Sequence, residues 1–208
     1  MMAYFRGIIG SAAWVTVAAM ALSFGARAEE AEDPHAHHHH HEAMAGVRSI
    51  AGYTIPAIKL VRDDDKTVLL ADEINDGRPV VLNFIYTTCT SICPLSSQIL
   101  SQLQSKLGSN RDRVHLMSIS IDPEQDTPPR LLEYAKKFNA GPSWQHYTGT
   151  LAASNAAQKA FDVYRGDKMS HTPVTLIRPA PGDPWLRIDG FATADSLLAE
   201  LHDLTASR

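Results

Sequence analysis

The sequence predicts an α/β domain: a central mixed β-sheet flanked by helices on both faces, with an N-terminal β-hairpin extension. Three observations predict it. Strand-length apolar runs alternate with segments whose apolar residues recur at helical spacing. Turn signals such as Asp76-Gly77-Arg78-Pro79 and Asp122-Pro123 fall between those runs. The order then changes near the C-terminus to a hairpin followed by a helix, which adds antiparallel strands to a parallel core.

The first segment stands apart from this domain. Arg6 precedes an uncharged apolar stretch over 8–24, and Ala26-Arg27-Ala28 forms a small-residue cleavage site. Residues 1–28 are expected to be a secretory signal peptide, with an uncleaved membrane anchor as the alternative. Export places the remainder in the periplasm, free or anchored to the inner membrane. Residues 29–49 are expected to be a disordered His-rich linker, because their polar composition offers nothing to a core. Within it, His35, His37, His38, His39, His40 and His41 are candidate auxiliary metal ligands through neutral imidazole. Residues 50–208 form the globular domain, long enough for one well-buried core.

Its elements follow in order. Residues 55–61 and 67–70 flank Asp63-Asp64-Asp65 and suggest the hairpin extension. The run 80–86 reads as a buried strand. The helix after it shows apolar residues at Leu95, Ile99, Leu103 and Leu107. Residues 114–121 are a second strand, and 127–138 a helix with Thr127 as cap and Pro128 in its first turn. A short strand over 145–148, a helix over 151–164, a hairpin from 174–177 and 185–188, and a helix over 193–204 complete the domain. The formal charge of −4, without a basic patch interleaved with aromatics, argues against a nucleic-acid partner.

Cys89 and Cys93 are the only cysteines, and both lie in the turn between the strand over 80–86 and the following helix. Unpaired N–H groups at that helix end favour thiolate over thiol. A stabilising disulfide is a poor account of them, since closing so short a loop removes little chain entropy. A thiolate pair so placed either exchanges electrons as a disulfide or holds a soft metal such as Cu(I).

The stretch Arg78-Pro79-Val80-Val81-Leu82-Asn83-Phe84-Ile85-Tyr86-Thr87-Thr88-Cys89-Thr90-Ser91-Ile92-Cys93-Pro94 is followed by Ser118-Ile119-Ser120-Ile121-Asp122-Pro123-Glu124-Gln125-Asp126-Thr127-Pro128. With Tyr147-Thr148-Gly149-Thr150 and Ser170-His171, these motifs resemble the Sco/SenC family of copper-handling proteins for cytochrome c oxidase assembly. The resemblance covers most of 50–204 and implies a thioredoxin-like fold. It implies copper, as Cu(I) or Cu(II), bound by Cys89, Cys93 and His171. It also implies a copper acceptor as partner, cytochrome c oxidase subunit II or another. Met169 is a candidate soft ligand beside an expected packing role, and the Asp122-Pro123 segment is expected to be a structural loop near the site. Two features depart from the family pattern or complicate it: Ser170 stands where an acidic residue usually precedes the histidine, and Thr172-Pro173 resembles the proline loop facing thioredoxin cysteines.

Three functions are therefore in competition. The first is a metallochaperone. The second is a thiol–disulfide oxidoreductase with Cys89 attacking and Cys93 resolving. The third, a peroxidase, ranks last because no arginine stands close to the cysteines in sequence. His115, His146 and His202 are expected to be structural or solvated, and Asp63-Asp64-Asp65 a solvated turn.

Overall fold

The computed structural model describes residues 46–206, so the expected signal peptide over 1–28 and the His tract lie outside the described residues. The centre of the fold is dictated by two wholly buried runs. β4 (Val80–Ile85) and β5 (His115–Ser120) have no exposed residue, as strands covered on both faces must, and they pair in parallel. Two of their polar members are linked across the pair: Ser118 Oγ donates to Asn83 Oδ1 (2.7 Å) and Trp144 Nε1 donates to Ser118 Oγ (3.0 Å), while Asn83 Nδ2 is left without a partner.

Around this pair the sheet grows in both directions. β6 (Trp144–Thr148) joins β5 in parallel. β7 (Val174–Arg178) and β8 (Trp185–Asp189) add the expected antiparallel hairpin beside β4. The hairpin extension is β2 (Lys59–Arg62) with β3 (Thr67–Leu69), docked antiparallel on β6. With β1 (Val47–Ala51) the eight strands run β1-β8-β7-β4-β5-β6-β2-β3.

One sheet face packs Val81, Leu116, Trp144, Ile177 and Ile188 against α2 (Ile92–Leu107) and α5 (Ala194–Ala206). α3 (Pro128–Lys137) lies beside α2, joined by Ser97 Oγ and Tyr134 Oη at 2.8 Å. The other face packs Leu82, Phe84, Met117, Tyr147 and Leu176 with α1 (Leu70–Ile74) and α4 (Leu151–Ala160).

Three local expectations change. The linker expected to reach Ser49 gives way earlier, because 47–49 belong to β1, antiparallel to β8. Its side chains are almost all exposed, so the strand is fixed by backbone pairing and carries no apolar alternation. Gly46 fixes where it begins: a Cβ there would stand 2.7 Å from the Asp189 carbonyl oxygen. The helix expected over 151–164 stops at Ala160, and Asp162 turns the chain with φ 52°. Thr127 does precede α3, but its side chain makes no capping hydrogen bond; its carbonyl accepts from Leu131 N at 2.9 Å.

Candidate metal and thiol centre

The buried strand β4 delivers the chain to the loop 86–91, and α2 begins at Ile92. Ser91 occupies the N-cap but supplies no side-chain cap. Cys89 fills that role. Its sulfur accepts from the Cys93 backbone N–H at 3.4 Å, one of the donors a helix start leaves unpaired. Both thiols are free and buried, at 7% and 1% exposure.

A residue not singled out from sequence pins this loop. Asp126, fully buried, accepts from Thr87 N (3.1 and 3.2 Å to its two oxygens), from Thr87 Oγ1 (2.5 Å) and from Ser120 Oγ (2.6 Å). The Asp-Pro segment is thus a structural element of the site, as expected, with Asp126 holding the cysteine loop and Asp122 bonding Lys168. Only the length of the motif 118–128 hinted at this; Thr87 and Asp126 are too far apart in sequence for a local pattern to pair them.

The two thiols are electrostatically unequal. Burial alone would raise the Cys89 thiol, but it is outweighed by hydrogen bonds from the Cys93 and Ser91 backbone and from the Cys93 and Tyr86 side chains. The result is a lowering to about 7. Cys93 moves the other way: burial raises it strongly, and the neighbouring Cys89 sulfur adds to the shift. Burial and the bond to Cys89 push the Tyr86 hydroxyl up to about 12, so it remains a donor at neutral pH. In the reduced protein, iodoacetamide will therefore modify Cys89 at a rate that climbs through pH about 7 and then levels, while Cys93 stays unmodified. A rate still climbing at pH about 9 would show an ordinary thiol instead.

His171 follows the 3₁₀ turn Lys168–Ser170 and is 8% exposed. Its Nε2 is 3.1 Å from the Phe84 carbonyl oxygen, which makes Nε2 the N–H donor and leaves Nδ1 as the acceptor of a neutral ring. Burial lowers its pKa, against the partial support of the Phe84 bond. His171 borders a cleft of about 420 Å³ with Asp122, Glu124, Leu151, Tyr164 and Lys168. Lys168 Nζ bonds Asp122 Oδ2 at 2.6 Å and stands 5.7 Å from the centre of the Tyr86 ring.

The structure thus brings Cys89 and Cys93 together and ties His171, just after the turn Lys168–Ser170, to the Phe84 carbonyl of β4. Among the described residues, no three or more His, Cys, Asp or Glu side chains are gathered into a metal-holding group. Met169 departs from its expected packing role: it is 75% exposed, with Sδ 3.9 Å from the Tyr86 hydroxyl.

The other histidines match their structural expectation. His115 is buried between the Glu73 carbonyl oxygen (3.1 Å), Gln145 Oε1 (3.0 Å) and Tyr147 Oη (2.9 Å). His146 stacks on Trp144 with its Nδ1 3.4 Å from Asp63, and His202 is exposed on α5. The acidic run closes a turn: Asp64 bonds Arg62 and Lys66, and Asp65 takes φ 65°.

A family model described as SCO1/SenC matches residues 53–206. The SCO1 protein homolog of Bacillus subtilis is 30% identical over 104 residues, 50% of this chain. That match spans 53% of the relative, about half its length. Protein SenC of Rhodobacter capsulatus is 27% identical over 167 residues, covering 80% of this chain and 74% of the relative. Among solved structures, Arabidopsis thaliana ScoI with copper bound superposes with a TM-score of 0.63 at 25% identity, covering 77% of this chain and all of that one. The architecture is thioredoxin-like: a mixed sheet with flanking helices.

Proposed function

The chain belongs to the SCO1/SenC family, and on that premise we propose that it is a copper metallochaperone. Cys89, Cys93 and His171 hold the copper, and the acceptor is the copper centre of cytochrome c oxidase subunit II. The family's tie to copper handling and oxidase assembly supports this, as does the copper in the Arabidopsis relative. The observation that carries it is the pair of free sulfurs at the start of α2, with the His171 imidazole tied to the Phe84 carbonyl of the strand that leads to them.

Two thiolates and one imidazole form a low-coordinate set that suits Cu(I) and also accepts Cu(II). The Phe84 carbonyl does for His171 what an outer-shell carboxylate does elsewhere: it fixes the tautomer that presents Nδ1. That offsets the serine at position 170. Copper completes the set by drawing His171 toward the sulfurs. Transfer then proceeds by ligand exchange, with the acceptor's thiolates replacing Cys89 and Cys93.

Export by residues 1–28 places this chemistry in the periplasm, free or anchored to the inner membrane. The tract from His35 to His41 acts as a tethered arm that raises the local copper concentration.

The unequal thiols favour a second activity. With Cys89 lowered and Cys93 raised, Cys89 thiolate attacks a partner disulfide and Cys93 resolves the mixed disulfide, leaving the partner reduced and this chain oxidised. Such a step would prepare the acceptor's thiols for copper. A potential well below the compartment's poise, with turnover on a disulfide substrate, supports this activity.

The copper reading is tested by anaerobic Cu(I) competition titration of the reduced chain with the His tract deleted. One tightly held Cu(I) is expected, weakened about 100-fold by His171→Ala. Absence of stoichiometric binding sinks the metallochaperone, and an unchanged affinity in the variant removes His171 from the site.

A further inference from the structure

Exposure falls in steps along three sulfurs: 75% at Met169, 7% at Cys89 and 1% at Cys93. We infer that Met169 is an entry ligand, a thioether that takes Cu(I) at the surface and passes it to Cys89. The inference rests on the copper reading of the cysteines.

A methionine left 75% exposed forgoes most of the gain that an apolar side chain makes by burial. Its sulfur is nevertheless directed inward, 3.9 Å from the Tyr86 hydroxyl. The same hydroxyl neighbours the Cys89 sulfur, so the Tyr86 side chain lies between the thioether and the buried thiol. The turn that presents Met169 is held on three sides. Its own N–H donates to Asp167 Oδ1 (2.9 Å), the neighbouring Lys168 is tied to Asp122 (2.6 Å), and His171 is tied to Phe84 (3.1 Å).

Chemistry supplies the selectivity. A thioether is soft, neutral and free of any proton to displace, so it accepts Cu(I) across a wide pH range and discriminates against harder ions. The buried cysteines lack that access. In the hand-off, a Cu(I)–thioether bond breaks and a Cu(I)–thiolate bond to Cys89 forms. Copper stays Cu(I), and any proton still on the Cys89 thiol leaves to solvent.

The test uses the full reduced chain carrying ¹³C-methyl methionine, with Cu(I) supplied as a chromophoric chelate. Met169→Leu identifies the Met169 resonance and, being exposed, leaves the fold intact. The Met169 methyl signal should move on adding Cu(I), including in a Cys93→Ala, His171→Ala chain that lacks the deeper site. Met169→Leu should still bind one Cu(I) but acquire it about tenfold more slowly. A stationary Met169 signal, or uptake by Met169→Leu as fast as by the parent chain, overturns the entry role and leaves the three-ligand site intact. If the parent chain retains no copper while the Met169 signal moves, the three-ligand site falls and the hand-off to Cys89 falls with it, leaving Met169 a surface Cu(I) contact only.

Discussion

Replacing Cys93 by alanine will weaken Cu(I) binding at least ~1000-fold, about 4 kcal/mol, although Cys93 is the less reactive thiol. Reactivity and ligation draw on different properties. A nucleophile must be thiolate before it meets its partner, whereas a ligand can lose its proton as the metal arrives. Burial keeps Cys93 protonated in the free protein, so copper must displace that proton. Cys89, lowered to about 7, gives up a proton only in the acidic range. Two protons therefore leave per copper below pH about 7 and one above it, and affinity rises with pH throughout, more steeply on the acid side. Competition titrations at two or more pH values on each side of pH about 7 measure both slopes. Equal slopes would mean that the two thiols are not split as described. In Cys93→Ala the remaining dependence should follow Cys89 alone and flatten above pH about 7.

The sequence made the chemistry-bearing cysteines visible because their motif is local. The strands β4 and β5 were legible for a similar reason: complete burial leaves an unbroken apolar run. β1 gave no such sign, since an exposed edge strand held by its backbone needs no apolar side chains. α1, only five residues long, is too short to show helical periodicity. The parts of the site that sequence missed are contacts between distant segments. Asp126 reaches Thr87 across 39 positions, His171 reaches Phe84 across 87, and Met169 reaches Tyr86 across 83. Met169 shows the limit most clearly. Residue type alone favours packing for a methionine, and only the folded chain shows its side chain exposed with the sulfur on a hydroxyl.

Asp126→Ala should destabilise the domain by about 3 kcal/mol and also change the thiol chemistry. The carboxylate is fully buried and serves three donors, so alanine leaves Thr87 N–H, Thr87 Oγ1 and Ser120 Oγ without their acceptor. Asp126→Asn is the sharper control. It keeps the shape but turns one acceptor oxygen into an NH₂ group facing other donors, so it too should lower the denaturant midpoint. Cys89 sits two residues beyond Thr87, and its lowered pKa depends on holding its sulfur against the Cys93 N–H. Once Thr87 is released, the sulfur loses that alignment. The iodoacetamide midpoint of Cys89 should then rise from about 7 toward the ordinary thiol range. Lost stability with an unmoved midpoint would confine Asp126 to supporting the fold. A midpoint that rises in both variants, measured where each is still fully folded, makes Asp126 the residue that positions the thiolate.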